Sequence, residues 1–208
     1  MVRIFNNLYK INEYIFLNFE KKKNFLIIKI LQNIKNNFPK IIIHVGLNNT
    51  DFDIFLKNNK FNIYILTFCK NAILYQLNNL IDIIGVDFPG KKKRFGLIYI
   101  CQSIQYNIRI NVLLRCIEKE RILSIIKIFK NADWAEREVW DMFGILFQNH
   151  PDLRRILTDY GFAGHPLRKD FPLTGFYELF FVDTQKTIKN MPVCLAQEYR
   201  KFFFPLPW

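Results

Sequence analysis

Between residues 22 and 38 apolar side chains recur every three to four positions among lysines and asparagines. Phe25, Ile28, Leu31 and Ile34, or Ile27, Ile30, Leu31 and Ile34, would share one side of a basic amphipathic helix that Pro39 ends. Lys40 to Val45 is rich in Ile and Val and reads as a strand; Phe52 to Leu56 and Phe61 to Phe68 read the same way, with a turn at Asn58-Asn59. A short helix over Asn71 to Leu80 follows. Phe95 to Ser103 and Ile108 to Cys116 then form a hairpin around Gln105-Tyr106-Asn107, and Glu120 to Phe129 is helical. Helices interleaved with hairpin-connected strands predict an α+β fold, with helices on one face of a mixed or antiparallel sheet.

From Asp133 the pattern changes. Asp133 and Glu136 have the spacing of a capping box, Asp133 and Arg137 are four residues apart, and so are Arg137 and Asp141. Ala135, Val139, Met142 and Phe143 give this helix its buried side, and Gly144 suits its C-terminal cap. Residues 148–175 hold three prolines and three glycines. Pro151 fits the first turn of a short helix with Leu153, Ile156 and Leu157 inward; the remainder is irregular yet rich in apolar anchors, as in a segment held against something else. Tyr177 to Thr184 reads as one strand. The ending MPVCLAQEYRKFFFPLPW reads as an extended C-terminal arm that needs a surface to pack on. The expected organisation is a globular domain over 1–147, poorly defined over 1–30, and a proline- and glycine-punctuated segment with the arm over 148–208.

Charge changes this picture in one respect. Of the net +12, residues 1–130 carry 21 basic and 8 acidic side chains, while 131–208 carry nine and ten. The basic part invites an anionic partner such as RNA, lipid or an acidic protein; the balanced part suits ion-pair networks and a specific interface. The runs Lys21 to Lys23 and Lys91 to Arg94 could bind RNA, but the second follows Pro89-Gly90 and reads as a solvated hairpin loop. No apolar stretch is long enough to span a bilayer, and MVRIFNNLYK resembles neither a signal nor a transit peptide.

Candidate chemistry is sparse. Cys69, Cys101, Cys116 and Cys194 show no C-x-x-C spacing and read as buried, reduced thiols. His44 lies in an apolar strand and reads as a packed core histidine. His150 and His165 each precede a proline; a metal there would need further donors, and Asp152, Asp159 and Asp170 read more simply as turn and salt-bridge residues. Glu136, Glu138 and Asp141 could act as acid/base catalysts, but Arg137 among them, with Arg154, Arg155, Arg168 and Lys169 nearby, favours charge-paired carboxylates with lowered pKa values. No catalytic, cofactor-binding or metal site is expected. Asp133, Glu136, Arg137, Glu138, Asp141, His150, Arg154, Arg155, Arg168, Lys169 and Asp170 are expected instead to form an interface and hold the junction between domain and arm.

AEREVWDMFG (Ala135 to Gly144) with NHPDLRRILTDYGFAGHPLRKDFPL (Asn149 to Leu173) resembles the signature of the 30 kDa subunit family of respiratory complex I, which is called NADH dehydrogenase subunit 9 in organelles and has a bacterial counterpart. The resemblance extends to Asp87, Pro89, Arg94, Phe95, Tyr99, Ser103, Asn107 and Arg109, and to the ending QEYRKFFFPLPW, so it covers about residues 30 to 208. It implies a structural subunit of the peripheral arm, without FMN, cluster or quinone of its own. Its neighbours would be the 49 kDa and iron–sulfur subunits of a complex that carries FMN, iron–sulfur clusters and ubiquinone. It implies a matrix-facing position at the mitochondrial inner membrane, with the cytoplasmic face of a bacterial membrane as the alternative; an abundance of Ile, Asn, Lys and Phe, as AT-rich coding produces, without a targeting segment favours organelle encoding. Two rivals from other classes are a basic RNA-binding protein of an organellar ribosome and a free-standing oxidoreductase.

Overall fold

Strands whose inward positions are all large and apolar must find a second layer, and helices between and after the strands supply it. A computed structural model describes residues 32–47, 51–197, 200 and 202. Most of the expected basic helix over 22–38 lies outside them; 32–37 is helical, Ile34 is fully buried, and the chain turns at Pro39. β1 (Ile42–Leu47) pairs antiparallel with β2 (Phe52–Leu56). A 3-10 turn then leads into α1 (Asn62–Asn71). β3 (Asn79–Asp87), β4 (Phe95–Ser103) and β5 (Ile108–Cys116) complete a five-stranded sheet of order β1-β2-β5-β4-β3. β2 and β5 are parallel and the other pairs antiparallel, so the sheet is mixed, as the α+β reading allows.

Register sorts the side chains strictly. Phe52, Ile54, Leu97, Tyr99, Ile110, Val112 and Leu114 all face inward, against Ile65, Leu66 and Cys69 of α1 and Val139 and Phe143 of α2 (Ala132–Phe143). Helices therefore cover one face. The outer face alternates half-buried Phe55, Ile98 and Ile100 with Arg109 and Arg115. His44 faces outward too and is exposed, beside Phe55, so the packed core histidine is corrected: a bulge between Ile42 and His44 sets its side.

Three local expectations fail for physical reasons. Phe61 to Phe68 is not a strand: the buried positions are Asn62, Ile65, Leu66 and Cys69, a helical spacing that outweighs the β-branched and aromatic composition. Asn71 to Leu80 is not a helix. The chain leaves α1 at Asn71, turns through Gln76 (φ 44°) and enters β3, a strand that the sequence reading omitted. Glu120 to Phe129 is not helical either. Ile122 and Ser124 donate their N–H groups to Leu146 and Gln148, so β6 (Ile122–Leu123) lies parallel to β7 (Phe147–Gln148) and the donors a helix needs are already used.

Beyond β7 the chain runs irregularly to residue 176 and ends in a hairpin, β8 (Tyr177–Val182) with β9 (Thr187–Pro192). The strand expected over Tyr177 to Thr184 thus stops at Val182, and β9, which the sequence does not announce, pairs with it; much of the ending expected as an extended arm, 191–208, lies outside the described residues. No helix among the described residues is long and apolar enough to cross a membrane.

Candidate interface site at the domain–arm junction

α2 is the element on which the second half of the chain is hung. Its N-cap is Asn131, two residues before Asp133, and the Asn131 amide donates to the Leu80 carbonyl, so the helix is already under way at Asp133. The capping box therefore does not form. Asp133 instead places Oδ1 3.3 Å from His150 Nε2, and the Glu136 carboxylate accepts from Ile125 N at 2.8 Å. The expected i,i+4 ion pairs do not form either. Arg137 donates from Nε to the Arg154 carbonyl at 3.1 Å, and its guanidinium lies over the Trp134 ring.

Asp141 is the centre of the arrangement. It is fully buried, and its Oδ2 accepts the consecutive N–H groups of Ile156, Leu157 and Thr158 at 3.1, 2.7 and 3.0 Å. Its Oδ1 accepts from the Thr158 hydroxyl at 2.7 Å and lies 3.7 Å from Arg155 Nη1. Burial alone would raise this carboxyl; the Thr158 hydroxyl and the three N–H groups outweigh it and hold Asp141 below the usual carboxylate range. These contacts also explain why no helix follows Pro151, since the donors that would build one serve the carboxylate. Arg155 then fastens the loop to itself through the carbonyls of Phe162 and Gly164.

The last turn of α2 leaves carbonyls without helical partners, and the arm supplies donors. His165 Nδ1 donates to the Asp141 carbonyl at 2.9 Å, Leu167 N to Met142 at 3.1 Å and Arg168 Nε to Phe143 at 2.7 Å. Since a carbonyl can only accept, His165 carries a proton on Nδ1; burial lowers its pKa. Gly144, with φ 75°, ends the helix beneath these two side chains: a Cβ there would meet Arg168 Nη2 and, at 2.5 Å, His165 Nε2. Arg168 also pairs with Glu118 and lies over Phe95.

A second clasp joins the β3–β4 connection to the arm. Arg94 holds both Asp87 oxygens, from Nε at 2.7 Å and Nη2 at 2.8 Å, and both Asp170 oxygens at 3.1 and 2.9 Å. Asp87 also accepts from Lys169 N at 2.8 Å. Burial would raise Asp87; the Arg94 and Lys169 hydrogen bonds outweigh it, and Arg94 is correspondingly held more strongly protonated. Lys91 to Lys93 are exposed, as expected of a loop, but Arg94 is not part of that solvated run.

The structure thus brings Asp133, Glu136, Arg137, Asp141, His150, Arg155 and Arg168 together along α2. It uses Lys169 through its backbone and Asp170 through Arg94. Arg154 contributes its carbonyl while its side chain pairs with Asp152 at the surface; Glu138 is exposed and takes no part. Sequence reasoning left out Asp87, Arg94, Glu118, Thr158 and His165 from this set. Only Asp87 and Arg94 carried a signal, as opposite charges flanking one hairpin loop. The expectation of uniformly lowered carboxylates is also corrected: burial pushes Glu136 up to about 7, against the hydrogen bond from Ile125 N and the nearby Ser124 hydroxyl.

Among the described residues no group of three or more His, Cys, Asp or Glu side chains converges as a metal would require. Cys69, Cys101 and Cys116 are buried on α1, β4 and β5; Cys194 is exposed on the arm, contrary to expectation, because no described residue packs over it. Burial pushes the Cys69 and Cys116 thiols up to about 12, the opposite of what a thiolate ligand needs. Cys101 and Cys116 sit at opposite ends of the β4–β5 ladder, so the donor set does not fit an iron–sulfur cluster.

The sequence profile of the family described as "Respiratory-chain NADH dehydrogenase, 30 Kd subunit" matches residues 57–177. A rice (Oryza sativa subsp. japonica) protein named NADH dehydrogenase (ubiquinone) iron-sulfur protein 3 is 46% identical over 82% of this chain and 90% of its own length. Its Arabidopsis thaliana namesake is 50% identical over 73% and 80%. A bacterial NADH-quinone oxidoreductase chain, from Chelativorans sp., is 50% identical over 69% and 72%. A chain in the structure of a membrane-bound sulfane sulfur reductase, an archaeal respiratory membrane complex, shares the fold with a TM-score of 0.60 at 22% identity, over 70% of this chain and 85% of that one.

Proposed function

Because the chain belongs to the 30 kDa subunit family of respiratory-chain NADH dehydrogenase, and so is a subunit of complex I, we propose that it acts as a non-catalytic scaffold. It would hold cofactor-bearing neighbours, the 49 kDa and iron–sulfur subunits, in register for electron transfer from NADH to ubiquinone. FMN, clusters and quinone would be carried by those neighbours, in the matrix-facing peripheral arm at the mitochondrial inner membrane. The family assignment takes precedence over the RNA-binding alternative that the basic composition raised.

One observation carries this reading. The β8–β9 hairpin sets Tyr177, Leu179 and Phe181 on the same face as Ile188 and Pro192, and all of them are solvent-exposed, Leu179 at 62% and Ile188 at 67%. A lone two-stranded hairpin is marginal in water, and each large apolar side chain gains about 1.5–3 kcal/mol on burial. Such a face is stable when a partner covers it. Meanwhile the Asp141, Arg94 and Arg168 contacts fix the root of the arm to the domain, so a partner gripping the hairpin is positioned relative to the sheet.

The test places Leu179→Asp and Phe181→Asp together in the chain and follows native-gel migration with NADH dehydrogenase activity staining. The expected result is a severalfold loss of assembled complex, with unchanged turnover per complex that remains. Normal amounts of complex with slowed electron transfer overturn the scaffold reading.

A further inference from the structure

Three ionisable groups meet at the root of the arm, where water reaches only one of them. His150 and Glu136 have fully buried side chains, and Asp133 is 39% exposed. Asp152 N donates to His150 Nδ1 at 3.1 Å, which makes Nδ1 an acceptor and leaves the ring proton on Nε2. That single N–H faces Asp133 Oδ1 at 3.3 Å, the Asp133 carbonyl at 3.4 Å and Glu136 Oε2 at 3.8 Å. Glu136 Oε1 is satisfied by Ile125 N, whereas Oε2 is buried with no hydrogen-bond partner. Two carboxylates therefore face one donor. A bare negative charge on Oε2 would be uncompensated, and a buried carboxyl in that position keeps its proton.

We propose that this cluster holds one extra proton, carried on Glu136, and that the proton keys the 149–155 segment to α2. With Glu136 neutral, His150 keeps Nδ1 free to accept from Asp152, and the segment stays seated. When the proton leaves, by way of part-exposed Asp133 to water, two negative groups three residues apart confront one N–H. The charge on Oε2 is then relieved by water entering between α2 and the segment. That entry unseats His150, ends the Asp152 N–H bond and frees the backbone from 150 onward.

The groups facing Glu136 from each packed element are consistent with this assignment. α2 contributes only another acid, Asp133. The β6 connection contributes only neutral groups, the Ile125 N–H on Oε1 and the Ser124 hydroxyl nearby, which accepts from Ile126 N. β4 contributes Tyr99, fully buried, which accepts from Asn62 of α1, and burial and the Glu136 charge both raise its phenol. No cation among them compensates Glu136, and burial pushes it up to about 7.

The experiment is amide hydrogen exchange on the full-length chain between pH 6 and 9, corrected for intrinsic rates. The wild type should lose protection at Asp152 and its neighbours by roughly tenfold per pH unit above 7, while Glu136→Gln, neutral and near-isosteric, stays flat. A flat wild type, or an equal slope in Glu136→Gln, overturns the proposal. Infrared spectra of the wild type with 13C-labelled Glu give a second readout that needs no variant. A glutamic-acid carbonyl band present at pH 6 and gone at pH 9 is expected; its absence at pH 6 overturns the proposal on its own.

Discussion

Replacing Asp141 separates the worth of its charge from the worth of its geometry. Asp141→Ala removes an acceptor that serves three backbone N–H groups and one hydroxyl in a buried position. A hydrogen bond to a charged group contributes about 1.5–3 kcal/mol and a stranded buried donor costs a similar amount. Four such bonds do not add, because Leu157 is exposed and water can reach the loop once it loosens. An overall loss of about 3–4 kcal/mol is therefore expected. Asp141→Asn keeps an oxygen where Oδ2 stands and can still receive the three N–H groups; it loses charge assistance and the nearby Arg155, for about 1–2 kcal/mol. Urea unfolding of the purified chain measures both, and for a chain of this size the Ala variant should melt roughly 6–16 °C lower. The pH dependence has a definite sign. Asp141 is held below its ordinary 3.8, so its contribution is full above that value and fades as pH falls through the folded-state pKa. Asp141→Asn should flatten that acid limb. An Ala variant that loses less than about 1 kcal/mol, or an Asn variant as damaged as Ala, refutes the view that the N–H cluster carries the energy.

Gly144→Ala should be far costlier than Gly90→Ala, although both sites have positive φ, 75° and 82°. Gly90 has open space and pays only the roughly 1–2 kcal/mol of the left-handed backbone; at Gly144 the new Cβ also displaces His165 and Arg168, which limited proteolysis within 160–175 would detect. In double-mutant cycles, Arg94 should couple to Asp87 by about 2–3 kcal/mol but to Asp170 by less than about 1. The reason is exposure: the Asp87 side chain is buried and Asp170 is 62% exposed. Equal couplings would contradict this.

Legibility from sequence followed the physics of each segment. The β4–β5 hairpin was readable because two apolar runs rich in Ile, Val, Leu and Tyr flank a polar turn, and Asn107, at φ 50°, takes the left-handed position that asparagine tolerates. α2 was readable from its apolar spacing and Gly144. α1 was not, because its Ile, Tyr and Phe content favours strand while its buried positions follow a helix, and residue propensity is the weaker determinant. The junction residues along α2 were picked out by charge density, yet their partners were misassigned. Charges were matched with charges, whereas Asp141, Glu136, Arg137 and Arg168 mostly engage backbone groups, which leave no mark on a sequence. Arg94 and Asp170, 76 residues apart, meet only through the folded sheet.

The way α2 ends has a consequence for how the chain is made. Its final carbonyls are completed by His165, Leu167 and Arg168, with His165 lying 24 residues after the carbonyl it serves. During synthesis the sheet and the first turns of α2 can consolidate as they emerge, but the last turn waits for those donors to leave the ribosome. A chain that stopped before residue 165 would leave those carbonyls of α2 without their donors. The end of α2 and the root of the arm therefore form as one unit, each incomplete without the other.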